Sequence, residues 1–160
     1  MADTNTPYII QSQGSPVFCI GVDAANEGAP VNLMFLQGAG SLNTQWYLDA
    51  DTGVITSAAN PRLCLDVPNA ALVPSARLVL SVIVNERPSQ SWNWTTQPLI
   101  FSNGAPELFV TNSGCAIKTE NPIVLDDSSS RQCQMWTLLP VAALQRAGGE
   151  RLEAAAVGDD

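Results

Sequence analysis

One pattern constrains this chain more than any other. The string Ile-x-Ser-x-x-x-Pro-x, followed by three apolar residues, starts at Ile10, Ile55 and Ile100, 45 residues apart each time. A tryptophan closes each unit, at Trp46, Trp92 and Trp136. Two of these stand in Gln-x-Trp, as Gln90-Ser91-Trp92 and Gln134-Met135-Trp136; the first unit reads Thr44-Gln45-Trp46, its glutamine shifted by one. A repeat at fixed period sets the architecture before any local propensity is weighed.

Each unit holds short apolar and β-branched runs bounded by Gly, Pro, Asn and Ser, which read as strands. In the second unit these are Val54–Thr56, Leu63–Val67, Arg77–Val84 and Ser91–Thr96. Four strands per unit predict an all-β chain of twelve strands. A single four-strand unit cannot bury its own apolar face, whereas three can close around a common axis and remove the exposed sheet edges. A propeller would need at least four such blades, so three units favour a three-fold barrel. The axial core should take one residue from each unit: Ile10, Ile55 and Ile100; Phe18, Leu63 and Leu108; Ile20, Leu65 and Val110. The three tryptophans should pack beneath the hairpins as core aromatics.

With 160 residues, 46% of them hydrophobic and 14% charged, the chain is one globular domain. We expect an N-terminal extension over 1–7, the three-unit domain over 8–140 (repeats 8–53, 54–98 and 99–140), and an Ala-rich tail over 141–160, helical or frayed. The net charge of −8 argues against nucleic acid and anionic membrane surfaces as partners. The chain has no histidine, which removes Ser-His-Asp and Cys-His catalysis and His-ligated zinc. No calcium loop is legible in Asp126-Asp127-Ser128-Ser129-Ser130. Within the repeats, Asp49-Asp51 and Asp126-Asp127 are the close carboxylate pairs, and both look like exposed turns. We therefore expect neither metal, nor cofactor, nor enzymatic activity. Met1–Thr6 does not read as a secretory leader, so a cytoplasmic protein, or one secreted without a signal peptide, is expected. Cys19 and Cys64 sit in apolar runs and read as buried thiols; Cys115 and Cys133 lie in polar stretches and could pair.

Leu63-Cys64-Leu65-Asp66-Val67, the Gln-x-Trp signatures and the three units together resemble the ricin B-type lectins, a β-trefoil family, over roughly residues 8–140. The resemblance implies shallow sugar sites on the repeats, with glycans or glycoproteins as partners and galactose or N-acetylgalactosamine as the first candidates. Such a site takes an Asp after the Cys-Leu pair, an aromatic shelf on the next hairpin, and an Asn-Gln pair before the tryptophan. The acid accepts hydrogen bonds from sugar hydroxyls, the ring covers the apolar sugar face, and the amides fix orientation. The second unit offers Asp66, Gln90 and a nearby Asn85, with Ser89 in the Asn place and no aromatic in Ser81–Val84. The first offers Asp23, Phe35 and Asn43, with Gly21 in the acid place; the third has Thr111 there. Weak single sites would draw avidity from several repeats or from a homodimer. Each residue also has a purely structural reading: Asp66 as a turn acceptor, Gln90 as a hairpin tie, Phe35 as core. The competing function is a β-trefoil protease inhibitor or protein-binding module, presenting the rim loops 66–77 or Asn85-Glu86-Arg87-Pro88. A targeting domain of a larger toxin or glycosidase is a third reading.

Overall fold

A computed structural model describes residues 6–36, 40–127 and 132–143. Its strands are β1 (Pro7–Ser12), β2 (Phe18–Gly21), β3 (Asn32–Phe35), β4 (Trp46–Asp49), β5 (Val54–Ser57) and β6 (Leu63–Asp66). They continue as β7 (Val79–Val82), β8 (Trp92–Asn93), β9 (Phe101–Ser102), β10 (Phe109–Asn112), β11 (Asn121–Asp126) and β12 (Trp136–Pro140). Twelve strands in three sets of four match the expectation from the repeat.

The recurring motif has a local physical cause. Ser12, Ser57 and Ser102 each use the side-chain oxygen to accept a backbone N–H two or three residues on, from Ser15, Ala59 and Asn60, and Ala105. Pro16, Pro61 and Pro106 then occupy the second place of a tight turn. It is closed by Phe18 N–H to Ser15 O, Leu63 N–H to Asn60 O, and Leu108 N–H to Ala105 O, each 2.9 Å. Proline presets the φ that this place requires. Serine and proline therefore fold the first strand of each unit back onto the second.

Six strands form the barrel. Antiparallel ladders join β12 to β1, β1 to β4, β4 to β5 and β8 to β9. Single backbone bonds, Trp92 N–H to Gly53 O (2.8 Å) and Trp136 N–H to Pro98 O (2.9 Å), bridge the remaining junctions. The hairpins β2–β3, β6–β7 and β10–β11 cap one end. A ring of three hydrogen bonds marks the axis there: Val31 N–H to Leu78 O, Leu78 N–H to Ile123 O, and Ile123 N–H to Val31 O, at 3.0, 2.9 and 3.1 Å. This closure is the β-trefoil arrangement.

All nine expected axial residues are buried in one core cluster together with Trp46, Trp92 and Trp136. Each indole N–H donates to a carbonyl near the end of the neighbouring hairpin strand: Ile20 O at 2.9 Å, Leu65 O at 3.2 Å and Val110 O at 3.0 Å. A buried N–H without a partner costs about 1–3 kcal/mol, so these contacts fix each ring as well as filling volume. The expected domain limits differ slightly from the strands: β1 begins at Pro7, and Val141, placed in the tail, is buried against Ile9 and Cys19. Residues 144–160, the rest of that tail, lie outside the described residues.

Candidate functional site

The three units carry equivalent stations where the second strand of each ends against the turn that precedes the tryptophan. They are Gly21 with Thr44, Asp66 with Gln90, and Thr111 with Gln134. Strand pleat and turn geometry are shared; only the side chains differ.

The second station is the most elaborate. Asp66 is only 1% exposed. Its Oδ1 accepts the Val67 N–H at 2.7 Å, and its Oδ2 accepts the Gln90 amide at 3.0 Å. Gln90 Nε2 also donates to Val82 O at 2.9 Å, while its Oε1 accepts the Val84 N–H at 2.8 Å. Gln90 thus ties the end of β6 to the end of β7. Arg87 lies over the carboxylate, Nη1 3.6 Å from Oδ2, with its side chain 38% exposed. The carboxylate sits beside Cys64, whose thiol is pushed up to about 12 by burial first and by the Asp66 charge second, the Arg87 charge opposing. Asn85 stands exposed on the same loop and is bonded to neither Asp66 nor Gln90. The structure therefore brings Asp66 and Gln90 together and adds Arg87, which the sequence reading assigned to an inhibitory loop.

The first station has no acid and no space for one. A Cβ built on Gly21 would lie 2.9 Å from the Thr44 methyl and 3.0 Å from Asn43 O. Asn43 instead donates from its amide to the Asp23 backbone oxygen at 2.9 Å, and the Asp23 carboxylate is exposed. Phe35 is 52% exposed and stacks on Phe18 with ring centroids 4.7 Å apart. Its register partner across β2–β3 is that same Phe18. Phe35 thus lies on the surface, on a buried aromatic base, and Asp23 and Asn43 form a separate contact.

At the third station the hydroxyl of Thr111 replaces the acid and accepts the Gln134 amide at 3.1 Å while donating to Phe109 O at 2.8 Å. Beside it, Cys115 and Cys133 form a disulfide. Cys19 and Cys64 are free and buried. The Cys19 thiol is likewise pushed up to about 12 by burial, opposed by a hydrogen bond with Thr44. Neither is an accessible thiolate.

Sequence reasoning missed a groove of about 1140 Å³ beside the second station, between the β4–β5 hairpin and the 83–88 loop. Its walls include Tyr47, Asp49, Asp51, Asn85, Arg87 and Asn103. Asp49 and Asp51 form the turn that their sequence suggests, with Asp49 Oδ1 accepting the Asp51 N–H at 3.0 Å. What the repeat could not show is that this turn faces the next unit's loop. Among the described residues no cluster of three or more acidic or cysteine side chains could hold a metal ion.

No protein-family model and no curated protein sequence matches the chain. Solved structures do match in shape. The C-half of an earthworm R-type lectin, in complex with GalNAc, superposes with a TM-score of 0.70 at 14% identity, over 84% of this chain and 98% of that one. The designed three-fold symmetric protein ThreeFoil gives 0.72 at 17% identity, over 83% and 97%. A mosquitocidal holotoxin gives 0.70 at 17% identity; the match covers 83% of this chain but only 17% of the toxin's length. Together with the hydrogen-bonded ring and the repeated tryptophan contacts, these likenesses give the chain the β-trefoil fold of the R-type lectins.

Proposed function

We propose that this protein binds carbohydrate, with the Asp66 carboxylate as its principal acceptor of sugar hydroxyl groups. The observation that carries the reading is how Asp66 is held. A carboxylate offers about four acceptor positions, and here Val67 and Gln90 supply two hydrogen bonds that fix its plane. The cover on its remaining side is Arg87, half exposed and 3.6 Å away. Rotation of that side chain opens an oriented carboxylate at the rim, and the guanidinium is then a donor for a sugar oxygen. Galactose- and N-acetylgalactosamine-ended glycans are the first ligands to try, because the earthworm lectin half was solved with GalNAc. In the first unit exposed Phe35 lies apart from the Asp23–Asn43 contact, so avidity would come from a homodimer.

The inhibitor alternative has less behind it, since Arg87 folds back on Asp66 instead of projecting from the loop. The test is a multivalent glycan array probed with the wild-type chain and with Asp66→Ala, each checked for folding by thermal melting. We expect wild-type retention that Asp66→Ala abolishes. Silence of the folded wild-type chain across the array would overturn the proposal and turn attention to protease panels.

A further inference from the structure

We infer that the groove beside Asp66 is an extended subsite for an uncharged oligosaccharide, and that its walls reject anionic chains. The inference rests on the carbohydrate reading above and goes beyond it in naming the ligand's length and charge.

Continuity comes first. Arg87 belongs to both places: it pairs with Asp66 and lines the groove. Ile83 and Val84 also line the groove, and the Val84 N–H is the one that Gln90 holds. The 83–88 loop is thus a partition with the Asp66 station on one side and the groove on the other. A ligand seated at Asp66 that extends past Arg87 enters the groove.

Size is the second argument. Sites for drug-sized ligands occupy about 300–1,000 Å³. A groove of about 1140 Å³ exceeds that range and has room for several sugar rings. Its chemistry also suits a polyhydroxylated chain. Tyr47 supplies an aromatic ring, Asn85 and Asn103 supply amides, and Val54, Ile83 and Val84 supply apolar surface. Asn103 spends its NH₂ on Ser91 Oγ and Trp92 O at 2.9 and 3.0 Å, which leaves its carbonyl oxygen to accept.

Charge decides between classes of chain. Asp49, Asp51 and Glu86 face the groove against one guanidinium, which already lies near Asp66. Carboxylates accept hydrogen bonds from neutral hydroxyls but repel sulfate, phosphate and sialic acid groups. Such repulsion is how a site excludes near relatives of its ligand.

The experiment uses an array of neutral oligosaccharides graded in length, each printed beside its sialylated and sulfated forms. Four chains are probed: wild type, Tyr47→Ala, the double variant Asp51→Lys/Glu86→Lys, and Asp66→Ala. Asp51 and Glu86 are exposed and engage no side-chain partner among the described residues, so the double variant should melt like wild type. We expect wild-type retention to rise at least tenfold from one sugar to four, with anionic forms weaker than neutral ones. Tyr47→Ala should flatten the length dependence, and the double variant should gain at least fivefold for the anionic forms. Equal retention of short and long chains, or no gain in the double variant, overturns the subsite while binding through Asp66 survives. Silence of wild type on every glycan instead fails the carbohydrate reading itself. Capture of a basic peptide that the double variant loses, with no length dependence for glycans, reassigns the groove to a protein partner and also overturns the inference.

Discussion

Substituting Asp66 by alanine tests whether the second station is at once part of the fold and part of the site. The change removes an acceptor from the Val67 N–H and from the Gln90 amide. Hydrogen bonds to a charged group contribute about 1.5–3 kcal/mol each. Two considerations reduce the sum. Gln90 keeps its contacts to Val82 and Val84, so it does not lose its place. Removing a buried carboxylate also relieves its desolvation, which offsets part of the loss. The Arg87 pair adds under about 1 kcal/mol, because the guanidinium is partly in water. The net expectation is a destabilisation of about 2–3 kcal/mol, or a fall in melting temperature of about 5–12 °C for a domain of this size. Total stability in the usual range of about 5–15 kcal/mol leaves the variant folded, so a loss of glycan retention would report on the site and not on unfolding. Urea denaturation read by tryptophan fluorescence gives the first quantity, and the glycan array gives the second. An alanine variant with wild-type stability would refute the argument that Asp66 is tied into the hairpin. Wild-type stability together with wild-type glycan retention would remove Asp66 from both roles.

Three further outcomes follow from the same contacts. Trp46→Phe, Trp92→Phe and Trp136→Phe each delete one indole donor to an equivalent carbonyl; each should lose about 2–4 kcal/mol in urea melts, and one neutral member among three would break the claim of equivalence. Gly21→Asp restores an acid to the first unit but places its Cβ 2.9 Å from Thr44 Cγ2 and 3.0 Å from a backbone oxygen; it should lower the melting temperature without adding a glycan site, and a stable variant with new binding would contradict this. Cys19 and Cys64 have thiols raised from 9.0 to about 12 in the folded chain. Their protonated forms therefore favour folding fully below pH 9, and that contribution disappears as pH rises toward 12. Stability measured at pH 8 and pH 11 should fall less in Cys19→Ala/Cys64→Ala than in wild type, and an equal fall in both would refute the buried-thiol assignment.

What the sequence disclosed and what it hid divide along a physical line. The axial triplets, the tryptophans and the Ser-to-Pro turns repeat because each copy faces the same packing problem, so periodicity exposes them. Asp66 and Gln90 are grouped in the sequence by the resemblance to the ricin B-type lectins, not by periodicity, since the acid stands in one unit of the three. Arg87 over Asp66 was not legible, because the repeat does not say which way a long side chain folds: five residues before the tryptophan the first unit has Ser41 and the third has Arg131, and only the second unit sets an arginine there beside an acid at the strand end. The groove was hidden for a further reason. It forms between the β4–β5 hairpin of one junction and the 83–88 loop, segments about 35 residues apart, and Asn103 joins from a third place. Chain closure brings these together, and no repeat offset predicts which side chains then meet.

The three stations show how the fold leaves room for this divergence. Trp46, Trp92 and Trp136 donate to the strand carbonyls of Ile20, Leu65 and Val110, a contact that makes no demand on the side chain one residue further along. That next residue is Gly21, Asp66 or Thr111. Its partner two residues before the tryptophan has adjusted to it: Thr44 fills the space against glycine, and Gln90 and Gln134 donate to the carboxylate and the hydroxyl. Backbone hydrogen bonds and buried indoles hold the barrel in every unit, so each strand-end pair can change as long as its two members remain matched. A charged acceptor survives at one of the three stations, where Gln90 and the Val67 N–H both hold it. Binding concentrated at that one station, with the neighbouring groove providing the extra surface that repeated identical sites provide elsewhere, is the consequence that the glycan-length experiment addresses.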